Sequence, residues 1–254
     1  MPPALHRRCV GQGPDLVMLH GWGLHAGIWE GVETQLSARF RLHLFDLPGH
    51  GSSASPDRFT LDGLCEAVSA QAPAHAHWLG WSLGGTLALE FAARQPQRVA
   101  RLILVATNPR FIVDAEWPHA MARDVLEGFA RDLSADYAGT LKRFLSLVAR
   151  GAPDAGALRQ LRRGLASGPP PAVEALRGGL DVLRDADLRP RLSGLTMPVL
   201  WIGGERDTLV PIVALRRVQL EHPQMQLKAI SQAGHAPFLS HPQAFMAAVT
   251  EFLL

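Results

Sequence analysis

The chain has 254 residues, 47% of them hydrophobic and 19% charged, which is enough apolar material for one globular domain with a full core. A disordered or fibrous chain is excluded. Its 25 Lys and Arg against 23 Asp and Glu leave a formal charge of +2, far from the concentrated basic excess of a dedicated nucleic-acid binder. Cys9 and Cys65 cannot form a disulfide scaffold, and neither lies in a CxxC pair, so a reducing setting is the default. After Met1 to Arg8 the residues Gly11, Gln12, Gly13, Pro14 and Asp15 interrupt any secretory signal, and no apolar run is long enough to span a membrane. The expectation is a soluble, cytoplasmic, monomeric chain with no nucleic-acid or membrane partner.

In chain order, short apolar runs predict strands near 16–20, 41–46, 76–80, 101–106, 198–203 and 225–230. Apolar residues at three- and four-residue spacing predict helices near 28–38, 60–71, 83–94, 212–221 and 242–253. This alternation is that of a mostly parallel, doubly wound α/β sheet with helices on both faces. One connection breaks the rhythm, because about 90 residues separate the strand ending near Ala106 from the one starting at Pro198, where a crossover needs far fewer. Residues 113–186 hold helical patterns such as Val125 to Leu133 and Tyr137 to Val148, broken by Gly151, Pro153 and the stretch Gly168 to Pro171. The reading is a core of 1–112 and 187–254 with an inserted helical cap of about four helices.

The strongest local signal is Gly80-Trp81-Ser82-Leu83-Gly84, a G-x-S-x-G between an apolar strand and a helical stretch. A serine on such a tight turn projects its hydroxyl above the sheet, and flanking glycines relieve the crowding. The helix start beneath it favours developing negative charge. A serine hydroxyl also needs a base to take its proton and an acid to orient that base. Asp207, in Gly203-Gly204-Glu205-Arg206-Asp207-Thr208-Leu209-Val210-Pro211, and His235, in Ala233-Gly234-His235-Ala236-Pro237-Phe238, both follow strands, where ligands bind in open α/β sheets. Glu205 competes for the acid's role; Asp207 is preferred because it lies farther from the strand end. Backbone N–H donors for an oxyanion are expected from Leu83 and from Trp22 in the turn His20-Gly21-Trp22-Gly23. Asp46, in Asp-Leu-Pro-Gly, reads as a turn residue. His75 and His77 alternate along a strand without further ligands at suitable spacing, so no metal and no cofactor is expected.

Together with Asp46-Leu47-Pro48-Gly49-His50-Gly51-Ser52, these motifs resemble the α/β-hydrolase superfamily over essentially the whole chain. Within it, the HGWG turn, the GWSLGG elbow, the HAPF loop and Glu116-Trp117-Pro118 are similar to the pimeloyl-[acyl-carrier protein] methyl ester esterases of biotin biosynthesis. That resemblance implies an α/β-hydrolase fold with an inserted helical cap. It also implies Ser82, Asp207 and His235 as triad, Trp22 and Leu83 around the oxyanion and ester, and an acyl-carrier protein bearing a pimeloyl methyl ester as partner. It further implies that Phe144, Leu145, Ser146, Leu147 and Val148 line the acyl chain, although Val148 stands where the family carries a polar amide. Residues 138–170 hold Lys142, Arg143, Arg150, Arg159, Arg162 and Arg163 against one acid, Asp154, a surface suited to an acidic carrier protein. The same triad also serves general carboxylesterases, lactonases and C–C hydrolases, and the fold also serves as a binding module.

Overall fold

The computed structural model describes residues 3–56, 58–152 and 155–254; Pro153 and Asp154 lie outside the described residues. Seven strands form one sheet in the order β1-β3-β2-β4-β5-β6-β7. They are β1 (Arg7–Val10), β2 (Asp15–Leu19), β3 (Arg41–Phe45), β4 (Ala76–Trp81), β5 (Val99–Val105), β6 (Val199–Gly204) and β7 (Gln226–Ile230). All pairings are parallel except β1 with β3. The parallel strands carry continuous apolar runs such as Leu16 to Leu19, buried because helices cover both faces.

Ten α-helices are described: α1 (Glu30–Ser37), α2 (Leu61–Ser69), α3 (Leu83–Arg94), α4 (Arg123–Ala135), α5 (Tyr137–Val148), α6 (Gly156–Ala166), α7 (Val173–Asp185), α8 (Ile212–Glu221), α9 (Pro237–Ser240) and α10 (Pro242–Leu253). Local chemistry sets several of their ends. The Thr60 side chain accepts from the Gly63 N–H at 3.1 Å to start α2, and Asp136 accepts from the Gly139 N–H at 2.8 Å to start α5. α3 stops where Pro96 follows Gln95. The core elements match the sequence expectation with three differences. β1 was not expected, because Arg-Arg-Cys-Val shows no apolar alternation; its pairing with β3 places it at the sheet edge. The helix expected at 28–38 begins as a 3-10 turn over Ala26–Trp29, and α9 precedes α10 as a separate short turn.

Between β5 and β6 run the four helices α4 to α7. α4 packs on both α5 and α7, and α5 on α6, while α7 also touches α3. The turn after α5 lies on the His235 loop so closely that a Cβ at Gly234 would run into the Arg150 carbonyl.

α3 is fixed to the sheet by its apolar face, where the rings of Trp78 on β4 and Phe91 stack at 3.9 Å between centroids. Both are fully buried. Trp78→Ala should therefore lower the unfolding free energy by about 3–5 kcal/mol in urea titration. A loss under about 1 kcal/mol would show that this stack does not hold α3 in place.

Candidate active site

β4 ends at Trp81 and α3 begins at Leu83, so Ser82 alone makes the turn, at φ 54° and ψ −117°. Few L-residues adopt that backbone, and its cost is of order 1–3 kcal/mol. The surroundings hold it there. The Ser82 N–H donates to the Val105 carbonyl at 2.9 Å, and the Ser82 carbonyl accepts from the Thr86 N–H at 3.0 Å and from Thr107 Oγ1 at 3.3 Å. The turn closes only without side chains at its flanks: a Cβ at Gly80 would enter the backbone of Gly84 and Gly85, and one at Gly84 the carbonyls of Leu19 and His20.

The loops after β6 and β7 bring two more groups to this turn. His235 Nε2 lies 3.0 Å from Ser82 Oγ, and its Nδ1 lies 2.8 Å from Asp207 Oδ2. Asp207 Oδ1 accepts from the N–H groups of Leu209 at 2.8 Å and Val210 at 3.0 Å, so both carboxylate oxygens are engaged. With Asp207 ionised, Nδ1 of His235 carries the proton and Nε2 is free to accept from the serine hydroxyl. All three residues are buried. Glu205, the competing acid, is exposed and pairs with Arg216. Trp81, a variable position of the motif, donates from Nε1 to the His235 carbonyl at 2.8 Å and so ties β4 to that loop.

The loop His20 to Gly23 flanks Ser82 and is held by two buried histidines. The Leu47 N–H donates to His20 Nε2 at 2.9 Å and the Gly23 N–H to His50 Nε2 at 3.3 Å. Each ring's Nδ1 faces a carbonyl, of Gly21 at 2.8 Å and Pro48 at 3.0 Å, which fixes it as the protonated nitrogen. Burial pushes His20 down to about 3, helped by the neighbouring His50, and His50 down to about 4. Asp46 is the anchor of the same turn. Burial opposes its charge, but the N–H groups of Ala26 and Ser52 outweigh that and hold its carboxyl below the usual range. The backbone N–H groups of Trp22 and Leu83 have no hydrogen-bond acceptor among the described residues.

Above Ser82 a narrow pocket is lined by Trp22, Leu209 and His235 from the core and by Phe129 of α4, Phe144 of α5 and Leu180 of α7, among other apolar side chains. Trp22 is its pivot: Nε1 donates to the Leu176 carbonyl at 2.7 Å, and the ring meets Phe144 edge-on at 4.7 Å. Of the stretch 144–148, only Phe144 reaches this pocket. Leu145 and Val148 are buried, and Ser146 and Leu147 line an outer groove between α4 and α5. Phe129, Leu180, Leu183, Phe111, Met121, Leu126 and Leu209 also join the lining, none of them a substrate-binding residue assigned from the sequence. Leu126, Phe129, Leu180 and Leu183 carry only the helical spacing of any buried face, and Phe111, Met121 and Leu209 lie in irregular segments, so nothing local set them apart. Lys142, Arg143 and Arg150 share the outer groove, and Phe129 lines it as well as the pocket. Arg163 faces a different recess beside Gly27 and Glu30, while Arg159 and Arg162 are exposed on α6. Arg143 pairs with Asp132 at 2.8 Å, a neutralising contact from outside the stretch 138–170. No group of three His, Cys, Asp or Glu that could hold a metal ion exists among the described residues, and no described helix is long and apolar enough to cross a membrane.

The family model described as alpha/beta hydrolase fold matches residues 14–242. The chain belongs to the α/β-hydrolase fold family and is a hydrolase. The pimeloyl-[acyl-carrier protein] methyl ester esterase of Chromobacterium violaceum is 45% identical to it, over 96% of both chains. The protein of the same name from Serratia marcescens is 44% identical over 98% of both. Among solved structures, an esterase from Exiguobacterium antarcticum superposes with a TM-score of 0.90 over 99% of this chain and 96% of its own, at 23% identity, a likeness of fold.

The neutral histidines carry a pH consequence. An unfolded histidine takes up a proton below about 6.5, whereas His50 resists until about 4, so stability falls as the pH drops through that window and is complete above it. The urea midpoint should fall between pH 7 and pH 5, and His50→Gln should narrow that fall. An unchanged difference in the variant would show that His50 is not the group responsible. Asp15, held near 2, loses its contribution only at lower pH, as it falls below the ordinary carboxylate range.

Proposed function

We propose that the chain is a serine carboxylesterase that hydrolyses the methyl ester of a pimeloyl chain carried on acyl-carrier protein, a step of biotin biosynthesis, giving methanol and the free carboxylate. The observation that carries this is the unbroken hydrogen-bonded series from Ser82 through His235 to Asp207 at the base of an apolar pocket. Identity of 42–45% with esterases of that name over nearly the whole chain supports the substrate.

Ser82 Oγ attacks the ester carbonyl as His235 Nε2 takes its proton, and Asp207 holds the ring in the tautomer that can do so. The negative charge forming on the carbonyl oxygen meets the N–H groups of Trp22 and Leu83, which have no other acceptor to leave. His235 then gives the proton to the departing methoxide, releasing methanol and leaving an acyl group on Ser82. Water, deprotonated by the same nitrogen, removes the acyl group as a carboxylate. An ionised carboxylate is poorly solvated among Phe129, Phe144 and Leu180, so the pocket favours the neutral ester over the product.

Residues 113–186 act in this reading as a cap on the core formed by 1–112 and 187–254. Phe144 touches the acyl chain, while Leu145, Ser146, Leu147 and Val148 support it through packing or face the outer groove. Lys142 and Arg150 at that groove, with Arg159, Arg162 and Arg163 on the next helix, offer positive charge to an acidic carrier, while Arg143 is held by Asp132. The groove shares Phe129 with the pocket, so a chain tethered to a carrier at the groove reaches the pocket at that ring.

Ser82→Ala should lower methanol release from the carrier-bound ester by about 10⁴-fold or more, with an unchanged circular dichroism spectrum. Near-normal turnover in that variant would refute the mechanism.

A further inference from the structure

A second relay of nucleophile, imidazole and carboxylate lies at the sheet edge and shares no residue with the Ser82 pocket. Cys9 on β1 is directly opposite His43 on β3, and Asp15 on β2 opens the strand on the other side of β3. Side chains of paired residues, and of residues two apart, share a sheet face, so Cys9, His43 and Asp15 point the same way. The contacts follow from that register. Cys9 Sγ lies 3.4 Å from His43 Nδ1, and His43 Nε2 lies 2.5 Å from Asp15 Oδ1.

The charges decide which nitrogen holds the proton. Arg41 grips Asp15 with two bonds, Nε to Oδ1 at 2.6 Å and Nη2 to Oδ2 at 2.9 Å, which keep the carboxylate ionised. An ionised Asp15 only accepts, so His43 Nε2 donates to it and the Nδ1 lone pair is left facing the thiol. The same logic sets His235 before Ser82. The imidazole of His43 is buried while Cys9 is exposed, so the base is held fixed and the sulfur is open to a reagent. The other charged groups on the thiol's face of these strands are Arg7, whose guanidinium donates to the Gln71 carbonyl, and Arg41, paired with Asp15; Arg8 points to the opposite face and pairs with Glu33. Cys65 offers the contrast: it is buried, donates to the Leu87 carbonyl at 3.6 Å, and burial pushes its thiol up to about 12.

We propose that Cys9 is a modification site, a base-assisted surface thiol that undergoes thiol–disulfide exchange with small disulfides such as oxidised glutathione. As Sγ attacks one sulfur of the disulfide, its proton passes to His43 Nδ1. The S–S bond of the reagent breaks, a Cys9–glutathione S–S bond forms, and the leaving thiolate takes the proton back from the imidazolium. Cys9 is oxidised and the reagent reduced by the same electron pair, so no further oxidant is consumed.

The test is the rate of mixed-disulfide formation with oxidised glutathione on the intact folded protein, followed by mass spectrometry from pH 6.5 to pH 9.5. A free thiol is only a few per cent ionised at pH 7, so the wild type should react about tenfold faster there than His43→Gln. The two rates should converge near pH 9.5, and Cys9→Ser should abolish the adduct. Ester hydrolysis at Ser82 reports that each variant is folded; if His43→Gln fails that check, Asp15→Asn takes its place with the same expectation. Equal rates in wild type and the relay variants across the pH range, or no adduct on Cys9, would overturn the proposal.

Discussion

Ser82 must be held at φ 54° against its own preference, and most of what surrounds it follows from that constraint. The turn needs β4 paired to β5 so that Val105 can take its N–H, and it needs Thr107 and the first turn of α3 to take its carbonyl. It also needs the backbone of the His20 loop to pass where a side chain on Gly84 would otherwise stand. Strain of this size persists only when the surroundings over-determine it, and here β2, β4, β5 and α3 all do so. The return is position: the hydroxyl stands clear of the sheet at the start of a helix, where loops from β6 and β7 converge on it.

The hydrogen bonds of the site's carboxylate and histidines are complete before any ligand arrives. Asp207 is fully hydrogen-bonded before any charge moves, by His235 on one oxygen and two backbone N–H groups on the other. His20 and His50, fully buried, stay neutral and act only as fixed donors and acceptors that shape the loop carrying Trp22. Such preorganised dipoles in a water-poor pocket stabilise a forming oxyanion more than mobile solvent does. The tryptophans do the mechanical part: Trp81 ties β4 to the His235 loop, and Trp22 ties the turn at 20–23 to α7. The helices between β5 and β6 are therefore joined to the rest of the chain at a residue that lines the pocket over Ser82.

Much of this was legible in the amino-acid order because it is local. The strand-turn-helix around Ser82 and the loops of Asp207 and His235 each carry their own turn chemistry within ten residues. The edge strand β1 was not legible, since Arg7 to Val10 owes its conformation to a partner more than thirty residues away. Asp46 reads as a turn residue from sequence and does hold its turn, yet its bonds to Ala26 and His6 depend on tertiary contact. The pocket lining was the least legible part. Phe144 and Phe129 differ from Leu145 and Leu133 only in which side of an inserted helix meets Trp22, and that is decided by helix packing. The cations of 138–170 are also fewer in effect than their count, because Asp132 reaches across from α4 to neutralise Arg143.

The central claim is that an apolar pocket over a prepared serine receives an ester delivered by an acidic carrier along a cationic groove. The most direct measurement is kcat/KM for pimeloyl methyl ester on acyl-carrier protein and for the same ester without carrier, each at low and high salt. A preference for the carrier-bound ester that shrinks as salt rises is the predicted result. Equal, salt-insensitive values for the two esters would contradict it.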